Sequence, residues 1–130
     1  MNATPSCKLI EAGLSGVIDY VLLRGEAEAA SKTVPELLDE LACYVALEYS
    51  NGRMSFEDAD AIMNSAFGVS VSNQFWAEHD RTIPKAMYEV YEAFDAGEYY
   101  HRGDEDNVDP ELKYTRPLVE RFLAAQSNGT

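Results

Sequence analysis

Apolar residues recur along most of this chain every three or four positions, and almost nowhere do they alternate. That is the rhythm of an α-helix with one buried face. Three start signals punctuate it. Thr33-Val34-Pro35-Glu36 has the T-x-x-E spacing of a capping box, with proline in the first turn, where its missing N–H leaves no bond unmade. Ser55-Phe56-Glu57-Asp58 sets a hydroxyl before two acids that complement the positive end of the helix dipole. Thr82-Ile83-Pro84 repeats the pattern. Asn51-Gly52 and Gly97 supply stops. Between these marks the spacing predicts helices over 33–50 (Leu38, Leu41, Ala42, Val45 and Tyr49 on one face), 55–67 (Phe56, Ala59, Met63, Phe67) and 82–96 (Ile83, Met87, Val90, Tyr91, Phe94).

The two ends read less sharply. Ile10, Leu14, Val17, Ile18, Val21 and Leu22 form a stripe that predicts one helix over 6–23, N-capped by Ser6, with Asp19 off the stripe and exposed. Gly13 and Gly16 each weaken such a helix by about 1 kcal/mol relative to alanine, which points to a neighbouring helix passing close by. "RGEAEAASK" reads as a polar connector, partly helical. In "FGVSVSNQFWAEHD" only Val69 and Val71 alternate, so a loop with one turn of helix around Trp76 is expected, and His79 is expected at the surface. Asp109-Pro110-Glu111 opens a last helix over 109–125. Pro117 disfavours helical geometry at Arg116, so a short turn is expected before the helix proper starts near Thr115. "QSNGT" reads as a frayed tail. The expectation is an all-α, single-domain bundle of four to five helices over residues 1–130.

Charge narrows the function. Twenty-three acids against ten bases give a net charge of −13, a field that repels phosphate backbones and attracts basic partners. The two cysteines, Cys7 and Cys43, have no paired spacing, and two reduced thiols are the simpler expectation. The N-terminal stretch lacks the basic and small-residue features of a secretory signal, and "VIDYVLL" is far shorter than a membrane span. A soluble, cytoplasmic protein that touches neither membrane nor nucleic acid is expected.

No signature of a phosphate-binding loop, a dinucleotide fold, a zinc protease helix or a nucleophile elbow is present. Glu98-Tyr99-Tyr100-His101 has the E-x-x-H spacing of di-iron bundles, but those need a second copy and facing glutamates. A calcium loop counted from Asp104 needs glycine sixth and glutamate twelfth; Asp109 and Thr115 stand there. Asp19 is the one acid set inside an apolar run, and nothing else marks a pair of carboxyls for proton transfer. The reading is therefore of a protein that is not an enzyme and uses no cofactor and no metal.

Recognition is what remains. Residues 98–111 carry six acids against one base, a local charge of −5, beside two adjacent tyrosines. Tyrosine gives a large, stiff contact area with a polar tip, and carboxylates around it steer a cationic partner. Glu98, Tyr99, Tyr100, His101, Asp104, Glu105, Asp106 and Asp109 are the candidate partner-binding residues.

"EYYHRGDEDNVDPEL…VERFLAAQSNG" resembles, over residues 98–110, the C-terminal half of the immunity proteins that neutralise nuclease bacteriocins of the colicin type. Those small acidic four-helix proteins place a Tyr-Tyr pair before a Gly-Asp-rich acidic loop, and the pair and the nearby acids bind the basic toxin domain. The resemblance maps the pair onto Tyr99 and Tyr100 and the loop onto Gly103, Asp104 and Asp106; His101 stands where that family has proline. It implies an immunity or antitoxin-like inhibitor of a basic toxin or effector. Three other readings stand beside it: a nucleic-acid mimic or phage-type inhibitor of a host protein, which needs acids along an extended face; a helical adaptor; and a metal-binding enzyme using Glu98 and His101.

Overall fold

The computed structural model describes residues 4–79, 82–105 and 107–128. Seven α-helices follow one another: α1 (Cys7–Leu14), α2 (Tyr20–Ala29), α3 (Val34–Ser50), α4 (Phe56–Ser70), α5 (Asn73–His79), α6 (Lys85–Ala96) and α7 (Arg116–Asn128). A π turn, Glu111–Thr115, runs straight into α7. No strand occurs among the described residues, so the chain is all-α, with more helices than the four or five expected.

α6 packs on both α3 and α4, α1 rests on α4, and the π turn with α7 closes over α3 and α6. Phe94 of α6 is fully buried, met edge-on by the Tyr49 ring at 5.0 Å and approached by Phe56 at 6.0 Å. Edge-to-face packing suits the positive rim of one ring to the negative face of the other.

The start signals of α1, α3 and α4 form as the sequence predicts. Ser6 Oγ accepts from Leu9 N and Ser55 Oγ from Asp58 N. Thr33 Oγ1 accepts from Glu36 N at 3.2 Å while Glu36 Oε1 accepts from Thr33 N at 2.9 Å, a closed capping box. α6 departs from the pattern. Its N-cap is Pro84, which offers no side-chain acceptor, and the amide of Met87 donates instead to Asp39 Oδ1 of α3 at 2.8 Å. The cap is tertiary, so a local pattern cannot reveal it.

The expected helix over 6–23 is two helices. Gly16, at φ +101°, turns the chain out of α1, and Asp19 is the N-cap of α2. A turn resets the phase of the period. Leu14, Val17 and Val21 therefore face outward, at 42, 71 and 59 % exposure, while Leu9, Ile18, Tyr20, Leu23 and Ala27 fill the core. The close crossing expected at Gly13 is present, since a Cβ there would stand 3.1 Å from Ile62 of α4. At Gly16 the space is open, and glycine serves the left-handed turn. "RGEAEAASK", expected as a partly helical connector, is helical as far as Ala29.

The segment expected as a loop is also helical. α4 runs on to Ser70, with Val69 buried, and Ser72 Oγ accepts from Phe75 N to start α5. His79 is half-buried rather than exposed. Its ring lies 4.6 Å from Phe75, and its Nε2 is 3.2 Å from the Tyr20 hydroxyl, which donates to Glu78 at 2.5 Å. Burial and then Glu78 push the Tyr20 phenol up to about 12, so it works as a donor tying α2 to α5.

At the C-terminal end the chain stays helical where a turn is expected. Arg116 keeps φ −59° and ψ −48° although a proline follows, and its amide donates to the Glu111 carbonyl five residues back. The wider π turn gives the Pro117 ring room against the preceding carbonyls. The "QSNGT" segment is helical to Asn128. Cys7 and Cys43 are free thiols. Among the described residues no helix is long and apolar enough to cross a membrane.

Candidate protein-binding site

The segment from Gly97 to Pro110 leaves the end of α6 and returns to the π turn. Its root is tight. Gly97 is buried against Thr115, whose hydroxyl donates to the Ala93 carbonyl at 2.7 Å, and the amides of Gly97 and Glu98 still bond back to Phe94 and Asp95. Next comes a four-residue turn, closed by Asp104 N donating to His101 O at 3.0 Å, with Gly103 at φ +90°. That is the third position of a turn, where glycine carries no steric cost.

Asp104 holds this turn from inside. Its side chain is 2 % exposed. One oxygen accepts from His101 N at 2.9 Å; the other accepts from Lys113 Nζ at 2.6 Å and from the Tyr114 hydroxyl at 2.7 Å. Lys113, the His101 amide and Tyr114 together lower its carboxyl to about 2. The His101 ring sits between Tyr99, stacked at 4.9 Å, and Tyr114 at 3.9 Å, and its Nε2–H donates to the Ala96 carbonyl at 2.9 Å. A carboxyl lowered in the folded state contributes stability above its unfolded value of 3.8 and loses it as pH falls through about 2. The protection factor of the His101 amide, its exchange measured against the intrinsic rate at each pH, should therefore fall between about pH 4 and about pH 2 while the core amides of α3 keep their protection. A His101 protection factor equal at both ends of that window would show that Asp104 does not hold the turn.

With the turn fixed from within, the tyrosines go outward. Tyr99 is 51 % exposed and Tyr100 56 %. Glu98, Glu105 and Asp109 are exposed as well, and Asp109 Oδ1 also accepts from Glu111 N. Of the sequence-predicted residues, these five are exposed, and His101 is half-buried and stacked on Tyr99. Asp104 is the exception: its carboxylate is spent inside the loop and is not offered to a partner. Asp106 lies outside the described residues.

Sequence reading missed three things here. Lys113 and Tyr114 position the loop from the π turn, with no local motif to announce it. Glu98 meets Asp60 of α4: the Asn64 side-chain amide donates to Asp60 Oδ2 at 3.3 Å and to Glu98 Oε2 at 3.1 Å, so two carboxyls converge on one nitrogen. Burial first, then Glu98 and Asp95, push the Asp60 carboxyl up to about 8, so the converging carboxyls hold on to a shared proton more tightly than free ones would. Finally, burial, then Glu98 and Glu92, raise Asp95, against a smaller opposite pull from His101. Only the tertiary fold brings residues 60 and 98 together. Among the described residues no group of three or more His, Cys, Asp or Glu side chains is placed to hold a metal ion.

Comparison with known proteins gives no match of the chain to a family model, to a curated protein or to a solved structure.

Proposed function

We propose that this chain is a non-catalytic binding protein, immunity or antitoxin-like, that neutralises a basic toxin or effector domain by seating its acidic, tyrosine-bearing 98–109 surface on it. One observation carries the reading: two adjacent tyrosines both stand more than half exposed on a turn whose shape is fixed from inside. A loop already held in place loses little entropy on binding, so exposed aromatic area converts efficiently into affinity. The net charge of −13 and the resemblance of residues 98–110 to colicin-type immunity proteins support the same reading.

The row of acids that leads from α6 into the loop, Glu92, Asp95 and Glu98, favours a second reading, in which the carboxylates imitate phosphates at a partner's nucleic-acid groove.

The test is co-purification from the source organism followed by binding measurements on the identified partner. A strongly basic protein is expected, with affinity falling steeply between 50 and 500 mM salt, because exposed charges are screened within ~8 Å at physiological ionic strength. Competition by duplex DNA would single out the mimic. A partner that is acidic or neutral, or an affinity indifferent to salt, defeats both readings.

A further inference from the structure

Where α4 and α6 lie side by side, three rings form a cluster that reaches the surface. Phe67 stacks on Tyr91 at 4.1 Å with planes 9° apart, and Tyr88 lies 6.0 Å from Phe67 and 6.1 Å from Tyr91. Phe67 and Tyr91 are partly buried, and Tyr88 is 38 % exposed. Carboxylates surround this cluster. Glu92 raises the Tyr88 phenol, and Tyr91 lies in the combined field of Asp95, Glu98 and Asp60. No ion pair among the described residues uses Asp60, Glu92, Asp95 or Glu98. Asp60 Oδ1 is sealed from solvent with no hydrogen-bond donor among those residues. The face therefore combines stacked aromatic surface with carboxyls that no lysine or arginine among the described residues pairs. It adjoins the tyrosine loop, because Glu98 belongs to both.

We infer that this α4–α6 face is the second half of the docking surface, and that it receives an arginine- or lysine-bearing segment of the same basic partner. One cation lies against Glu98 and Asp95, in whose field the Asp60 carboxyl sits, and the next over the Tyr88 ring. This rests on the reading that the partner is basic, and it adds which side chains of the partner are read and where. Charge complementarity carries it. A guanidinium or ammonium group supplies the donors that the converging carboxyls lack, and an aromatic face attracts a cation within about 6 Å of its centroid. Arrival of the cation also removes the reason for Asp60 to keep its proton. From α4 that carboxyl meets only the amide of Asn64; from α6 and the loop it meets Tyr91, Asp95 and Glu98, none of them cationic. Binding at this face accordingly releases a proton.

The probe is rhodamine-labelled hexa-arginine, whose charge does not change near neutrality, followed by fluorescence anisotropy at low salt. An amide-shift titration of isotope-labelled protein with the unlabelled peptide gives the location. Shifts should gather at Tyr88–Glu98 and Asp60–Phe67 as well as in the loop, leaving the acids of α2, Glu26 and Glu28, unmoved. Tyr88→Ala, and separately Asp95→Asn with Glu98→Gln, should each weaken binding by roughly three- to tenfold, the scale of one cation–π contact or one ion pair. Wild-type affinity should rise several-fold from pH 6.5 to pH 9, and Asp60→Asn, which keeps the shape, should flatten that rise.

Shifts spread evenly over all acidic residues, or a wild-type affinity flat with pH, overturn the inference. If alanines at Tyr99 and Tyr100 weaken the peptide while the α6 variants do not, the loop binds and this face does not. If the α6 variants weaken it and the loop variant does not, the face stands and the tyrosine loop loses its assigned role.

Discussion

Alanine at Gly97 should destabilise the protein by about 3 kcal/mol, at the upper end of what overpacking a core costs, which lowers the melting temperature by roughly 10 °C for a domain of this size. The added methyl would stand 2.1 Å from Thr115 Oγ1 and 3.1 Å from the Phe56 ring. Neither can withdraw. Thr115 is fully buried and bonded to the Ala93 carbonyl, and Phe56 is packed on Phe94. Gly97 has φ −89°, which any residue tolerates, so the whole effect comes from space and none from backbone preference. Gly25→Ala is the control. That glycine lies inside α2 with open space around it, so alanine there should stabilise by ~0.5–1 kcal/mol through helix propensity alone. Thermal melts of the two variants decide the matter. A Gly97→Ala protein that melts within a degree or two of wild type would mean that the π turn and the end of α6 are not in close contact.

Replacing Tyr99 and Tyr100 together by alanine should weaken binding of the basic partner by at least ~2 kcal/mol, about thirtyfold or more. The melting temperature should hardly move. The contrast follows from where the rings sit. Both are more than half exposed, and the turn beneath them is held by Asp104, Lys113 and Tyr114, none of which the substitutions touch. Tyr99 does stack on His101, but His101 keeps its Ala96 bond and its contact with Tyr114. Calorimetry of binding with a parallel melt separates the outcomes. Unaltered affinity removes the tyrosines from the site. A fall in stability comparable to that of Gly97→Ala would make them structural after all.

Residues that settle their own local conformation could be read from the sequence, and residues whose role lies in a distant partner could not. Thr33 with Glu36, and Ser55 with Asp58, fix the starts of α3 and α4 within a few positions, and both were legible. The helix expected over 6–23 failed at a single glycine. The hydrophobic period of Ile10, Leu14, Val17 and Val21 continues across Gly16 as though the chain were straight, and only the left-handed turn there shows that the two halves face differently. α5 was missed because its cap, Ser72, lies in a run of small polar residues that reads as a loop. The π turn was half legible: Pro117 announced an irregularity, but not that widening the helix would absorb it. The tyrosine pair and the acids around it were legible as a composition, but not that both rings turn outward. The strut inside the loop and the meeting of Asp60 with Glu98 were not, since each joins segments whose proximity only the finished fold creates.

The inward-facing aspartate of the loop also separates two tasks that a binding loop usually has to share. Asp104, Lys113 and Tyr114 keep the turn in shape, while the exposed side chains of Arg102 and Glu105 take no part in that bracing. If the proposed surface is the binding surface, changes at those tips would alter what it recognises without touching what keeps it folded, and a library varied only there should yield binders that retain the stability of the parent.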